Sequence, residues 1–252
     1  MVSLKSEREI AIMRESAEIL KEVFVTLKDF IKAGITTKDI DLRAEKIIRS
    51  RSAEPAFLGY YGFPATVCTS VNEQVVHGIP SYNKVLKEGD ILSLDMGVRY
   101  KGYYSDAART WPIGRIPTET QNLIEVTRQS LFEGVKAFTA KSRIGDLSNS
   151  IQKYIESSGY SVVRDFVGHG IGRALHEDPQ VPNYGEKGKG MLIEEGLVIA
   201  IEPMVNVGTH KVRILEDGWT VVTVDGSLSA HHEETIALTK NGPEVLTRFE
   251  KN

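Results

Sequence analysis

Five side chains in this sequence could hold metal ions: Asp95, Asp106, His169, Glu202 and Glu233. Two of them end apolar runs, Ile91-Leu-Ser-Leu-Asp95 and Val198-Ile-Ala-Ile-Glu202. An ionised carboxylate at the end of a buried strand is costly unless it meets a partner or a metal. A two-residue turn at Lys101-Gly102 or at Tyr100-Lys101 folds Asp106 back beside Asp95, and in either register both carboxylates share a face because strand side chains alternate. The same alternation puts Glu233 opposite His232 and Glu234. His169 lies among glycines, Gly168-His-Gly-Ile-Gly172, which let backbone approach a site closely. Four carboxylates and one imidazole suit two divalent ions, and oxygen-rich ligation with one nitrogen fits Mn, Fe, Co or Zn. Two such ions sharing carboxylates can hold and deprotonate a water. A thiolate zinc site is excluded, because Cys68 is the single cysteine.

The elements that must carry these residues repeat. Leu86, Glu88 and Gly89 before the first apolar run recur as Ile193, Glu195 and Gly196 before the second, 107 residues on. Asp39, Ile40, Lys46 and Ile48 recur at the same offset as Asp146, Leu147, Lys153 and Ile155. One offset serving a helix and a strand reads as a duplication, with halves of roughly 1–115 and 116–252 in a single domain spanning 1–252. Packed about a pseudo-twofold axis, the halves would bring Asp95 and Glu202 to one centre from opposite sides.

Ser6 and Glu9 form a capping box ahead of Ile10, Met13, Ala17, Leu20, Phe24, Leu27 and Ile31, a helical stripe that ends near Gly34. Thr36 and Thr37 can cap a second helix with Ile40, Ala44, Ile47 and Ile48 on its apolar side. Thr118 and Gln121 form a capping box for a helix through about Ala137, and Ile144 to Ser158 supplies a fourth. The aromatic and glycine-rich stretch from Phe57 to Pro64, followed by Thr66 to Asn72 and Val75 to Pro80, reads as short strands with tight turns.

At 252 residues, 41% hydrophobic and 26% charged, the chain has the composition of a soluble globular protein. A net charge of -3 gives no electrostatic footprint for stable nucleic-acid binding, and Lys187-Gly-Lys189 reads as a solvated loop. The charged N-terminus lacks a secretory core, no segment is apolar and long enough to span a bilayer, and a lone cysteine suits a reducing compartment. The expected location is cytoplasmic.

Taken together, Val71-Asn-Glu-Gln-Val-Val-His77-Gly-Ile-Pro, Asp95 with Asp106, Gly168-His-Gly-Ile-Gly, His176-Glu-Asp-Pro, Ile201-Glu-Pro and His232-Glu233 resemble the type I methionine aminopeptidases, nearly end to end. The resemblance implies an α+β pita-bread fold, with a central antiparallel sheet covered by helices. It implies Asp95, Asp106, His169, Glu202 and Glu233 as ligands of two divalent ions (Co, Mn, Fe or Zn), with Asp106 and Glu233 bridging and Glu202 also moving a proton. It further implies that water activated by the two metals attacks the first peptide carbonyl, that His176 stabilises the tetrahedral intermediate, and that His77 contacts the scissile amide or leaving group. Family positions for the methionine pocket map to Phe57, Tyr60, Phe63, Cys68, Leu175 and Trp219; Phe57 and Leu175 depart from the residues commonest in familiar bacterial members. Asn72 and Ser229 match positions where relatives hold a monovalent cation. Implied partners are N-terminal methionine peptides and nascent chains at the ribosome, the second residue being small, with a monomeric enzyme.

Proline-directed peptidases share this fold and ligand pattern but carry an additional N-terminal domain, whereas here the capping box at Ser6 opens the catalytic-type fold at once. Non-catalytic relatives lose metal ligands, and all five are present.

Overall fold

The computed structural model describes residues 2–248, so residue 1 and residues 249–252 of the expected domain span lie outside the described residues. Helix α1 (Glu7–Phe30) starts where the spacing predicts: Ser6 Oγ accepts the Glu9 N–H, and the Glu9 carboxylate accepts the Ser6 N–H at 2.9 Å. Its buried face includes Ile10, Met13, Ala17, Leu20, Phe24 and Leu27. The chain leaves the helix at Ile31 and turns at Gly34, whose φ of +90° lets its N–H reach the Leu86 carbonyl. Helix α2 (Thr37–Ser50) is capped by Thr36 with Asp39.

Helix α3 (Thr118–Ala137) corrects one expectation. Pro117 rather than Thr118 is the N-cap, and the Gln121 N–H bonds the Pro117 carbonyl. Pro117 lacks a side-chain oxygen, so the helix starts without side-chain capping, one residue earlier than the Thr118–Gln121 pattern requires.

The repeat reappears in the hydrogen bonding. Helix α4 (Ile144–Ser157) lies 107 residues after α2 at both of its ends. The isolated bridge Thr36–Val85 is matched at this offset by Arg143–Leu192. The bonds Gly34 N–H to Leu86 and Leu86 N–H to Ile35 are matched by Lys141 N–H to Ile193 and Ile193 N–H to Ser142. Each half therefore hangs its second helix on the segment leading into its carboxylate-bearing strand.

Among the described residues the strand pairs are antiparallel and group into four sheets. Ile91–Tyr100 and Tyr103–Pro112 make a hairpin of ten residue pairs around Lys101-Gly102, both at positive φ as a two-residue turn demands. Asp95 pairs with Ala108 and Asp106 with Gly97, so the two carboxylates share a face. Cys68–Val71 flanks this hairpin with Cys68 opposite Asp95. In the other half, Val198–Ile201 lies between Gly168–Gly170 and Glu234–Thr239. The halves meet where Ala108 and Glu233 exchange two backbone hydrogen bonds. One core cluster packs α1 and α2 on Leu92, Leu94, Met96 and Val98, and another packs α3 and α4 on Ile199, Ile201 and Ile236.

The Phe57–Pro64 segment is not a strand. It makes a short 3₁₀ turn at Tyr60–Gly62, with Gly59, Tyr61 and Gly62 all at positive φ. Three such residues among four in a row do not run on as a strand, and the aromatic rings of this segment line a cavity instead. Cys68–Val71 and Gln74–Val76 are strands as expected, although the second ends before His77, itself at φ +59°. Residues 186–190, including Lys187 and Lys189, are exposed.

Candidate metal centre and adjoining pocket

Close backbone packing delivers the ligand set. A Cβ at Gly168 would lie 2.3 Å from the Ala200 carbonyl oxygen, and one at Gly170 would lie 2.1 Å from that of Asp178. The strand holding His169 is thus pressed between its two neighbours, and only glycine fits on either side of the histidine. The His169 Nδ1 sits 2.9 Å from the Gly170 carbonyl oxygen. A carbonyl only accepts, so Nδ1 carries the proton and Nε2 presents its lone pair. That lone pair faces Glu202 Oε1 at 3.5 Å, two acceptors with a gap suited to a cation.

The carboxylates make the same demand. Asp106 and Glu233 are each 3% exposed. Asp95 Oδ1, Asp106 Oδ1 and Glu233 Oε1 are buried without a hydrogen-bond partner. Ligand atoms from Asp106, His169 and Glu233 all lie within 4.8 Å of one another, while Asp95 and Glu202 line the same cavity. Burial pushes the Asp106 carboxyl up to about 8, against a backbone hydrogen bond from Ala107. Burial, then the neighbouring acids, holds Asp95, Glu202 and Glu233 well above the ordinary carboxylate range. Arg109, 2.8 Å from Glu234, faces the backbone side of this cluster and donates to the Glu233 carbonyl at 2.6 Å. Three acids with orphaned oxygens, the Glu202 carboxylate beside them and one imidazole lone pair fit divalent cations.

A stability prediction follows from the sign of these shifts. Between about pH 7 and the value of Asp106, the folded metal-free protein holds more protons than the unfolded chain, because the buried neutral His77, His169, His176 and His231, which act in the opposite sense, matter mainly below that range. Its stability therefore falls as pH rises through that window. Melting of metal-stripped protein should occur at lower temperature at pH 8 than at pH 7, and divalent ions should restore more at pH 8. A metal-free melting temperature rising between these two values would contradict the buried-acid assignment.

The cavity also brings together Phe57, Tyr60, Phe63, Cys68, His77, His176 and Trp219. Leu175 is the exception: it is buried in the cluster behind Phe57, Phe63 and Cys68 and does not line the cavity. Its neighbour His176 turns inward instead, with Nδ1 2.8 Å from the Tyr60 hydroxyl and its ring centroid 4.1 Å from that of His169. Burial lowers His176, and burial followed by the His176 charge lowers His77 to about 4, so both rings are neutral at pH 7. His77 stands edge-on to Phe166 and Trp219, and Phe63 packs against Trp219 at 5.1 Å. Asn72 and Ser229 also meet, the Ser229 N–H bonding the Asn72 carbonyl, with Ser229 Oγ left without a partner.

Two residues at the centre escaped the sequence reading. Phe166, edge-on to His77, lies two residues ahead of the Gly168–Gly172 motif, and no local pattern marks it. His231 is 1% exposed, its Nε2 lies 3.9 Å from Glu202 Oε2, and neither ring nitrogen has a hydrogen-bond partner. The alternation that separates Glu233 from His232 puts His231 on the Glu233 side, so the signal was present.

Residues 11–240 match the model of metallopeptidase family M24. The chain belongs to that family. Among M24 relatives, it is 53% identical to a methionine aminopeptidase of Clostridium perfringens, over 98% of this chain and 99% of the relative. The solved methionine aminopeptidase of Thermotoga maritima superposes with a TM-score of 0.97 at 44% identity, covering 99% of this chain and all of the other. A prolidase from Pyrococcus horikoshii matches less closely, at a TM-score of 0.79 and 25% identity, and this chain covers 64% of it. The M24 fold is thus the pita-bread α+β architecture expected from the sequence, and an M24 metallopeptidase uses divalent metal ions.

Proposed function

We propose that this M24 enzyme removes N-terminal methionine from peptides and nascent chains whose second residue is small, using two divalent ions. The observation that carries the proposal is the juxtaposition of five metal-ligand side chains with an apolar aromatic pocket in one cavity. Asp95, Asp106, His169, Glu202 and Glu233 would hold the ions. When bound, the ions supply Lewis-acid polarisation of the carbonyl and activation of a water.

The chain's own groups do the rest. Glu202, ionised once the ions are bound, would take a proton from the attacking water and pass it to the leaving amine. A Tyr60 hydroxyl donating to Nδ1 leaves the His176 ring proton on Nε2, which meets the carbonyl oxygen as it gains charge. His77, neutral and braced by Phe166 and Trp219, offers its ring to the scissile amide. The free amine of the substrate is met by the acidic cluster, which limits the enzyme to chain ends.

Phe57, Tyr60, Phe63, Cys68 and Trp219 form the wall for an unbranched thioether, whose sulfur packs well against ring edges. Cys68 stays a thiol, because burial followed by the nearby Asp95 pushes it well above its ordinary value. A large second side chain would collide with the crowded ligands. Asn72 and Ser229 are assigned to a monovalent cation beside the pocket. The work is assigned to a monomer in the cytoplasm, near the ribosome, with residues 1–252 acting as one catalytic domain. Among the described residues no helix is long and apolar enough to cross a membrane.

The test is release of free methionine from Met-Ala-Ser and Met-Leu-Ser peptides, after stripping the protein and restoring Mn, Co, Fe or Zn. Metal-dependent cleavage of the alanine peptide, at a rate exceeding the leucine peptide by at least roughly 100-fold, is expected. Hydrolysis of X-Pro peptides in its place would move the enzyme to the proline-directed branch, and silence on both would remove catalysis from the account.

A further inference from the structure

Lys5 sits far from the acids in sequence and its side chain is only 2% exposed. Its Nζ is 2.5 Å from Glu177 Oε2 and donates to the Ser3 carbonyl at 2.8 Å. The stem lies directly over Gly172, where an added Cβ would come within 2.3 Å of Lys5 Cε. Glu177 in turn holds a loop: its Oε1 accepts the N–H groups of Arg173 and Ala174 at 2.8 and 3.0 Å. Burial alone would raise the Glu177 carboxyl, yet the Lys5 hydrogen bond and the Ala174 and Arg173 amides hold it below the usual range. The residue before Glu177 is His176.

The other end of the contact reaches the acid side of the cavity. The Lys5 N–H bonds the Gly196 carbonyl at 2.7 Å, and Gly196 stands just ahead of the Val198–Ile201 strand that delivers Glu202. Lys5 thus joins the strand bearing Glu202 to the loop bearing His176. A buried ammonium costs desolvation, and a hydrophobic side chain of similar length would serve packing alone.

We infer that Lys5 is a positioning residue for His176: through Glu177 it fixes the Gly172–Glu177 loop, and with it the distance from the His176 ring to the reacting carbonyl. The inference rests on the role assigned to His176 above. A displacement of about 1 Å at such a donor lowers turnover by up to roughly 100-fold, while substrate and metal affinity are set elsewhere in the cavity.

The test is a cycle of Lys5→Met, His176→Ala and the double variant, with kcat and KM measured on Met-Ala-Ser and bound metal counted in each protein. Lys5→Met should lower kcat by about 10- to 100-fold with a smaller change in KM and unchanged metal content. In the His176→Ala background it should lower kcat no further, since the group it positions is gone. An equal loss in both backgrounds, or a loss of thermal stability with kcat intact, would overturn the inference while leaving His176 in its role. Full kcat in His176→Ala itself would instead remove the reading on which the inference stands. Should Lys5→Met fail to fold, Glu177→Gln breaks the same pair and is expected to show the same dependence on His176.

Discussion

Asp106→Asn should leave a folded protein that neither retains divalent ions nor cleaves Met-Ala-Ser. Asparagine keeps the size and shape of the side chain. The fold-bearing contacts at this position are made by backbone: the Asp106 N–H bonds Thr235 Oγ1 at 2.9 Å, and Thr235 Oγ1 donates to the Asp106 carbonyl at 2.8 Å. What disappears is one anionic oxygen set at the meeting point of Asp95, His169 and Glu233. Losing several kcal/mol of charge stabilisation corresponds to a fall in activity of roughly 1000-fold or more. A second consequence distinguishes this from general damage. With one buried charge removed, the metal-free variant should melt above metal-free wild type at pH 8. Metal content and the two melting curves settle it, and full activity with a normal metal complement would withdraw Asp106 from the ligand set.

His176→Ala should act in the opposite way, with ions retained and turnover reduced by about 100- to 1000-fold, the usual loss for one donor aimed at a developing oxyanion. KM should change little, because the ring's contact strengthens only as the carbonyl oxygen gains charge. Its Nδ1 is engaged by Tyr60 at 2.8 Å, and its ring stands 4.1 Å from that of His169. Tyr60→Phe keeps the ring in place and removes only the partner that selects the tautomer, so a smaller loss is expected there. Steady-state kinetics on the metal-replete variants provide the check. Loss of metal in His176→Ala would make the residue a ligand.

Much of the site was legible because strand geometry converts sequence parity into spatial side. A two-residue turn puts Asp95 and Asp106 on one face of the hairpin, and that parity required no knowledge of depth. The repeat was legible because matching residues recur at one offset, and the backbone hydrogen bonds recur with them. Periodicity says nothing about how strands partition, so it could not show that the described strands group into four sheets. It also cannot rank Pro117 above Thr118 as a cap, or see that positive φ at Gly59, Tyr61 and Gly62 takes an aromatic run out of any strand. Leu175 and His176 illustrate the limit at single-residue scale. Neighbours on a loop point where loop closure sends them, and that closure depends on Lys5, 172 residues away from Glu177 and invisible to any local pattern.

The seam between the halves has a consequence beyond chemistry. Asp95 and Asp106 come from one half, His169, Glu202 and Glu233 from the other, and the halves are stitched at Ala108 and Glu233. A site assembled across such a seam exists only when both halves are folded and docked, so each captured ion pulls the population away from half-assembled chains in proportion to its free concentration. Foldedness and ion supply are therefore linked variables in this protein.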